Sequence, residues 1–143
     1  MIHERLLDIR EKANLKQEDM AEILKVSQSN YSRWENGKEL IPLVKLNILC
    51  NYFKVSMDYV IGNTRKRSWN KNYELNFEEI GKNIKKVRKD NNLTQKQLAE
   101  ILNTTQSTIS AYESGKTVLL TAFAIQISKK YNVSLDWLCS REK

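Results

Sequence analysis

The chain contains the same pattern twice. When residues 2–62 are shifted by 78 positions, they align with residues 80–140 without a gap. The string KQEDMAEILKVSQSNYSRWENGK, which begins at position 16, aligns with TQKQLAEILNTTQSTISAYESGK, which begins at position 94. This period is too long for the unit of a solenoid. The sequence therefore predicts two copies of one small domain, at 1–62 and 80–143, joined by a polar, basic linker at 63–79.

The two copies differ in charge. The whole chain has a formal net charge of +7, which favours a polyanionic partner. Residues 1–62 contain nine Lys/Arg and nine Asp/Glu, whereas residues 80–143 contain eleven and five. We therefore expect the second copy to supply most of the long-range attraction. Its lysines at 82, 85, 86 and 89 are either phosphate contacts or a solvated helix face.

Several classes of protein are disfavoured by what the sequence lacks. It contains no signal peptide and no apolar run of about 18 residues, so we expect a cytoplasmic protein. Cys50 and Cys139 are not equivalent in the repeat, and we expect both to be buried thiols. With His3 as the one histidine and no Gly-rich phosphate loop, we expect no enzyme activity, no metal site and no cofactor.

Apolar residues recur at spacings of three and four throughout both copies, which predicts an all-α fold. Turn and cap residues divide each copy into five short helices. In the first copy these are expected at about 3–13, 17–24, 28–36, from Pro42 onward, and 57–61. The expected caps and stops are Ser27, Gly37 and Ser56, with Asn76–Glu79, Thr94–Gln97, Thr105, Gly115 and Ser134 in the second copy.

Residues 17–36 and 95–114 have the layout of a helix-turn-helix: a short helix, a tight turn, and a second helix that begins with polar residues. Ala21 and Ala99 lie where the two helices cross and allow close approach. Gln28 begins the second of these helices, and a glutamine amide can form a bidentate pair with adenine. Gln17 begins the first, where a helix N-terminus and a free amide can hold a phosphate.

Both copies resemble the phage repressor/Cro-type (XRE-type, lambda-repressor-like) helix-turn-helix domain. The resemblance lies in the string Q-x-x-[ML]-A-E-I-L-x(3)-Q-S-x-[YI]-S-x-[WY]-E-x-G-K, followed by V-S-x-D-[YW]. It implies five α-helices per domain and a recognition helix, at 28–36 and 106–114, that enters the major groove. It also implies base-reading positions at Gln28, Ser29, Arg33, Gln106, Ser107 and Ala111, and phosphate contacts at Gln17, Asn36, Lys38, Gln95 and Lys116.

The resemblance further implies an ion pair between the first and third helices, Arg10 with Glu35 and Arg88 with Glu113. The chain departs from the family at Lys25 and Asn103, where the turn often carries glycine. Lys16 replaces the usual Ser/Thr cap before the second helix. The segments 39–41 and 117–120, which follow the recognition helices, are poor in phosphate-binding side chains.

The resemblance to this family also predicts a function. It implies a sequence-specific double-stranded DNA-binding transcriptional regulator, and we expect a repressor. Because Arg33 aligns with Ala111, we expect the two copies to read different bases. A homodimer and an intramolecular pseudo-dimer both remain open. The alternative is an antitoxin-like interaction module, in which one copy binds a protein partner and the other anchors DNA.

Overall fold

The computed structural model describes residues 1–67, 69 and 71–142. Residues 68 and 70 of the expected linker, and residue 143 of the second copy, lie outside the described residues. The chain divides into two compact units, residues 1–73 and 74–143. The described residues form ten α-helices, five in each unit, and no strand. The predicted all-α fold of two five-helix domains is therefore confirmed.

The helices follow the repeat in the sequence. The first unit contains α1 (Ile2–Lys12), α2 (Gln17–Leu24), α3 (Gln28–Glu35), α4 (Leu43–Phe53) and α5 (Met57–Val60). The second contains α6 (Phe77–Asp90), α7 (Gln95–Ile101), α8 (Gln106–Glu113), α9 (Thr121–Lys130) and α10 (Leu135–Leu138). Within the described part of the chain, none of these helices has the length and apolar character needed to cross a membrane.

Side-chain caps begin most of these helices. The Ser27 hydroxyl accepts a hydrogen bond from the backbone N–H of Asn30 at the start of α3. Each such bond satisfies an N–H that the helix itself leaves without a partner. The predicted caps at Ser56, Asn76, Thr94, Thr105 and Ser134 do the same for α5, α6, α7, α8 and α10.

Two predicted start signals differ in detail. Pro42 immediately precedes α4 instead of lying in its first turn, because its extended ψ of 148° places it outside the helix. Asn76 caps α6, but the Glu79 carboxylate binds Lys82 instead of completing a capping box. At Lys16, which lacks a capping hydroxyl, the Asp19 carboxylate accepts the backbone N–H over 2.8 Å.

Left-handed residues make the turns between helices. Gly37 and Gly115 both have φ of +78° immediately after the recognition helices, as their predicted stop role requires. Lys25 and Asn103 have φ of 56° and 57° in the helix-turn-helix turns. The chain therefore adopts, without glycine, the conformation for which the family commonly uses glycine.

Each predicted recognition helix, α3 in the first unit and α8 in the second, is positioned by its buried side. In α3, Tyr31 and Trp34 are 0% and 5% exposed, and in α8, Ile109 and Tyr112 are 0% and 6% exposed. Trp34 and Tyr112 are therefore core residues. Burial of this side leaves the polar side of each helix in solvent.

Candidate nucleic-acid interface

The exposed side of α3 carries the base-reading positions predicted for the first copy. Gln28, Ser29 and Arg33 are all exposed. The Arg33 Nη1 donates to the Asn30 side-chain oxygen over 2.8 Å, and its Nε lies 4.0 Å from a Glu39 oxygen. The Arg33 side chain remains 48% exposed, so these contacts orient the guanidinium while leaving it accessible.

The exposed side of α8 differs in shape. Gln106 and Ser107 are exposed and Ala111 is half-buried. Where the first unit presents Arg33, the second has a shallow hollow of about 550 Å³, lined by Ser107, Ser110, Ala111, Ser114 and Lys116. The two recognition helices therefore offer different surfaces, one with a projecting cation and one with a depression edged by hydroxyl groups.

A three-residue network joins α1, α2 and α3. The Arg10 Nε and Nη2 donate to the two Glu35 carboxylate oxygens over 2.9 and 2.8 Å, and its Nη1 donates to the Leu15 carbonyl over 2.9 Å. The Gln17 Nε2 donates to the same carboxylate over 3.2 Å. The ion pair implied by the resemblance is therefore present, and Gln17 is bonded to it.

The second unit repeats this network. The Arg88 Nε and Nη2 donate to Glu113 over 2.7 and 3.0 Å, and the Gln95 Nε2 donates to Glu113 over 3.2 Å. The side-chain amide nitrogen of glutamine carries two N–H groups. A glutamine that donates one of them to Glu35 or Glu113 therefore has a second donor for a ligand. Gln17 and Gln95 are both half-buried at the start of their helices. Sequence reasoning missed this bond, although the equal spacing of 18 residues in the two copies was a visible signal.

The electrostatics of this network favour its charged form. The hydrogen bond to Glu35 raises the pKa of Arg10, and that to Glu113 raises the pKa of Arg88. Burial opposes ionisation of Glu35, but the hydrogen bonds that it accepts, with Arg10 first, lower its pKa below the usual 4.5. Burial raises the pKa of the Tyr31 phenol beside this network, so this phenol stays neutral.

The remaining predicted phosphate contacts lie where the chain leaves the recognition helices. Asn36, Lys38 and Lys116 are exposed. The Asn36 amide donates to the Ser32 hydroxyl over 3.2 Å. Each lysine follows a left-handed glycine, so both units place a cation at the same point of the turn.

Hydrogen bonds between the hydroxyl groups at the start of each recognition helix were not predicted from the sequence. The Thr105 Oγ1 lies 3.1 Å from the Ser107 Oγ and 2.8 Å from the Thr108 Oγ1. In the first unit, the Ser27 and Ser29 hydroxyls lie 3.2 Å apart. The capping residue of each recognition helix therefore also orients the predicted base-reading serine.

Comparison with known proteins agrees with this geometry. The family model described as "Helix-turn-helix domain" matches residues 3–65 and again residues 81–143. The chain is 42% identical over 64 residues, 45% of its length, to Antitoxin PezA of Streptococcus pneumoniae serotype 4 (strain ATCC BAA-334 / TIGR4). It is 36% identical over 64 residues, also 45% of its length, to the uncharacterized HTH-type transcriptional regulator YobD of Bacillus subtilis (strain 168). These alignments span 40% and 57% of the two relatives, and no solved structure matches significantly.

Proposed function

Because this chain belongs to the helix-turn-helix domain family, with one match in each copy, we propose that it binds specific double-stranded DNA and represses transcription. One observation carries this proposal. Each recognition helix begins with a capped, exposed Gln-Ser pair and buries its opposite side in the core. A rigid helix with a polar, accessible N-terminal end suits the reading of base edges in a major groove.

The base-reading roles follow from side-chain chemistry. Gln28 and Gln106 are suited to the bidentate pair with adenine N6 and N7, and Arg33 to the pair with guanine O6 and N7. Ala111 offers one methyl group, which is suited to a thymine methyl. The first copy therefore contributes more sequence information than the second.

Phosphate contacts position the two units. The remaining N–H groups of Gln17 and Gln95 lie at helix N-termini, where the helix dipole also favours an anion. Asn36, Lys38 and Lys116 supply further donors near the backbone. Because the first copy is neutral and the second strongly basic, the second contributes most of the salt-dependent affinity.

We propose that one chain covers two half-sites in successive major grooves, about 34 Å apart, with one copy in each. Two chains that bind cooperatively as a homodimer are the competing arrangement. The two differ in stoichiometry: one chain per pair of half-sites, or two.

Selection of binding sites from random duplex DNA with the whole chain tests the proposal. We expect a two-part motif whose half-site centres lie about ten base pairs apart, bound by one chain as measured by native mass spectrometry. The absence of any enriched sequence, together with equal affinity for all duplexes, would remove the claim of sequence-specific binding.

The similarity to a protein named as an antitoxin supports a second candidate. In it, the neutral first copy binds a protein partner while the second copy anchors DNA. The double variant Gln28→Ala/Arg33→Ala distinguishes the two candidates, because it alters only exposed side chains of α3. Loss of one selected half-site favours DNA reading by both copies. If the selected motif is unchanged, the protein-binding role of the first copy is favoured. The matched control is Gln106→Ala/Ser107→Ala in the second copy, which must alter the selected motif under either candidate.

A further inference from the structure

Two asparagines on α4 bind the backbone of Tyr73, which lies beyond α5 in the chain. The Asn51 side chain both donates to the Tyr73 carbonyl over 2.7 Å and accepts the Tyr73 N–H over 3.2 Å. The Asn47 Nδ2 donates to the same carbonyl over 3.0 Å. Asn47 is only 7% exposed, and a buried amide is costly unless it is hydrogen-bonded. The Tyr73 carbonyl therefore compensates for the burial of an Asn47 donor.

Further contacts hold the residues just before Tyr73, and we call Trp69 and 71–73 the strap. The Lys54 Nζ donates to the Asn72 side-chain oxygen over 2.6 Å, and the backbone N–H of Trp69 donates to the Lys54 carbonyl over 2.9 Å. The Trp69 and Tyr73 rings lie 6.3 Å apart. The strap is thus bound along the side of α4 that carries Asn47 and Asn51, and at Lys54, which caps the end of this helix.

The second copy does not repeat this side of the helix. The positions equivalent to Asn47, Asn51 and Lys54 are Ile125, Lys129 and Asn132. Because the helices of the two units otherwise correspond, the asparagine pair is not required by the shared fold. The asparagine pair instead binds the segment after α5, which has no counterpart in the second copy.

The bound strap shortens the connection between the units. Asn76 caps α6, so only Glu74 and Leu75 lie between the held Tyr73 and the second domain. Three Cα–Cα steps extend at most about 11 Å, compared with about 60 Å for a free segment of 17 residues. A short tether permits simultaneous binding at few separations, whereas a long one permits many.

We propose that Asn51, with Asn47, determines which half-site spacing one chain accepts, by binding the strap and setting the length of the tether. This inference rests on the proposed function, because it concerns two half-sites on DNA. It adds a residue that affects specificity without touching a base. It requires that the hydrogen bonds from the Asn47 and Asn51 side chains to the Tyr73 backbone persist while both domains are bound to DNA.

Two measurements on the full chain with Asn51→Ala test it. Hydrogen exchange of the Tyr73 backbone amide, without DNA, measures how firmly the strap is bound to α4. We expect slow exchange in the parent chain and at least about tenfold faster exchange in the variant. Binding to a series of duplexes, with the two selected half-sites about 8 to 22 base pairs apart, reports the spacing. We expect a single optimum with about a tenfold decrease in affinity on either side for the parent chain, and a profile flat to within about threefold for the variant.

Lys129→Ala is the matched control, since it changes an exposed side chain at the equivalent position of α9 and should leave both measurements unchanged. Insertion of Gly-Ser-Gly-Ser between Glu74 and Leu75, with Asn51 intact, should also flatten the spacing profile, and it remains informative if Asn51→Ala unfolds the domain. A variant with fast Tyr73 exchange and an unchanged spacing optimum would overturn the inference while leaving the proposed function intact. Failure of the parent chain to bind any two-part site would overturn both this inference and the proposal that one chain covers two half-sites.

Discussion

Arg10 on α1 binds both carboxylate oxygens of Glu35, the last residue of the recognition helix α3, over 2.9 and 2.8 Å. The side chains are 18% and 5% exposed, so the pair is largely removed from water. A planar guanidinium that binds a carboxylate through two parallel hydrogen bonds restricts orientation as well as distance. This contact therefore fixes the end of α3 relative to α1, and Gln17 of α2 shares its acceptor.

Removal of one partner should destabilise the first domain strongly. Arg10→Ala leaves the Glu35 carboxylate without its main partner, and we expect a decrease of about 3 kcal/mol in the free energy of unfolding. The double variant Arg10→Met/Glu35→Leu removes both charges and should be less destabilised than the single variant. Denaturant unfolding measures both, followed by tryptophan fluorescence in a Trp137→Phe background, so that the signal comes from the first unit. Lys12→Ala, which breaks an exposed pair with Asp8, should change stability by less than about 0.5 kcal/mol.

The lowered pKa of Glu35 predicts a dependence of stability on pH. Because the folded-state pKa lies below 4.5, the folded state binds this proton less readily than the unfolded state. The stabilisation is therefore present above about pH 4.5 and is lost as the pH falls through the folded-state pKa. Glu35→Gln should flatten the dependence of the unfolding free energy on pH below about pH 4.5, as thermal melts on the acid side of this pH would measure. If the unfolding free energy of the variant depends on pH as steeply as that of the parent chain, the pH dependence does not come from Glu35.

Arg33→Ala should relax specificity at a single base pair. The exposed guanidinium, oriented by Asn30, is expected to contribute about 1–3 kcal/mol of discrimination for guanine. Competition binding against each base at that position measures the reduced discrimination, and the salt dependence should change little. The reciprocal change Ala111→Arg should create a guanine preference in the other half-site. If Arg33→Ala weakens all sequences equally, Arg33 is a phosphate contact.

Neutralising Lys85 and Lys89 on α6 should reduce the salt dependence of DNA binding. Both side chains are exposed, whereas neighbouring Lys86 lies 3.0 Å from Asp90. Replacing both with glutamine should lower the slope of log K against log salt by up to about 0.9 for each phosphate that is no longer neutralised, with base preference unchanged. The control is Lys129→Gln/Lys130→Gln, an equal change of charge on α9. Equal slopes for the two variants would assign Lys85 and Lys89 to a solvated face.

Gly81→Ala should destabilise the second domain. A Cβ at this position of α6 would lie 2.6 Å from the Tyr112 carbonyl oxygen and would also collide with the Glu113 carbonyl. Replacing glycine with alanine in a helix interior ordinarily stabilises a protein by about 1 kcal/mol. A loss of stability would therefore indicate the close contact between α6 and the end of α8. We expect a decrease in stability of about 1–3 kcal/mol, measured by thermal unfolding. His3→Ala, at the equivalent position of α1, should be nearly neutral.

The predictions that succeeded from sequence rest on local chemistry. A serine or threonine at the N-cap accepts the backbone N–H three residues on, which is a contact within one helical turn, so Ser27 and Thr105 marked the starts of α3 and α8. The 3.6-residue period of the apolar residues likewise predicted the all-α fold, in which Trp34 and Tyr112 are buried. The bounds of α2 and the starts of α3 and α8 follow from these short-range patterns.

The sequence by itself determined the two copies, the ten helices of the described residues, most of the caps and the exposed Gln-Ser pair of each recognition helix. Only the tertiary structure decided that Gln17 shares Glu35 with Arg10, that α6 approaches α8 closely at Gly81, and that Asn51 binds the Tyr73 backbone. These contacts join groups that are far apart in the chain. Side chains meet over such separations only when helix packing brings their surfaces together, and packing depends on many residues at once.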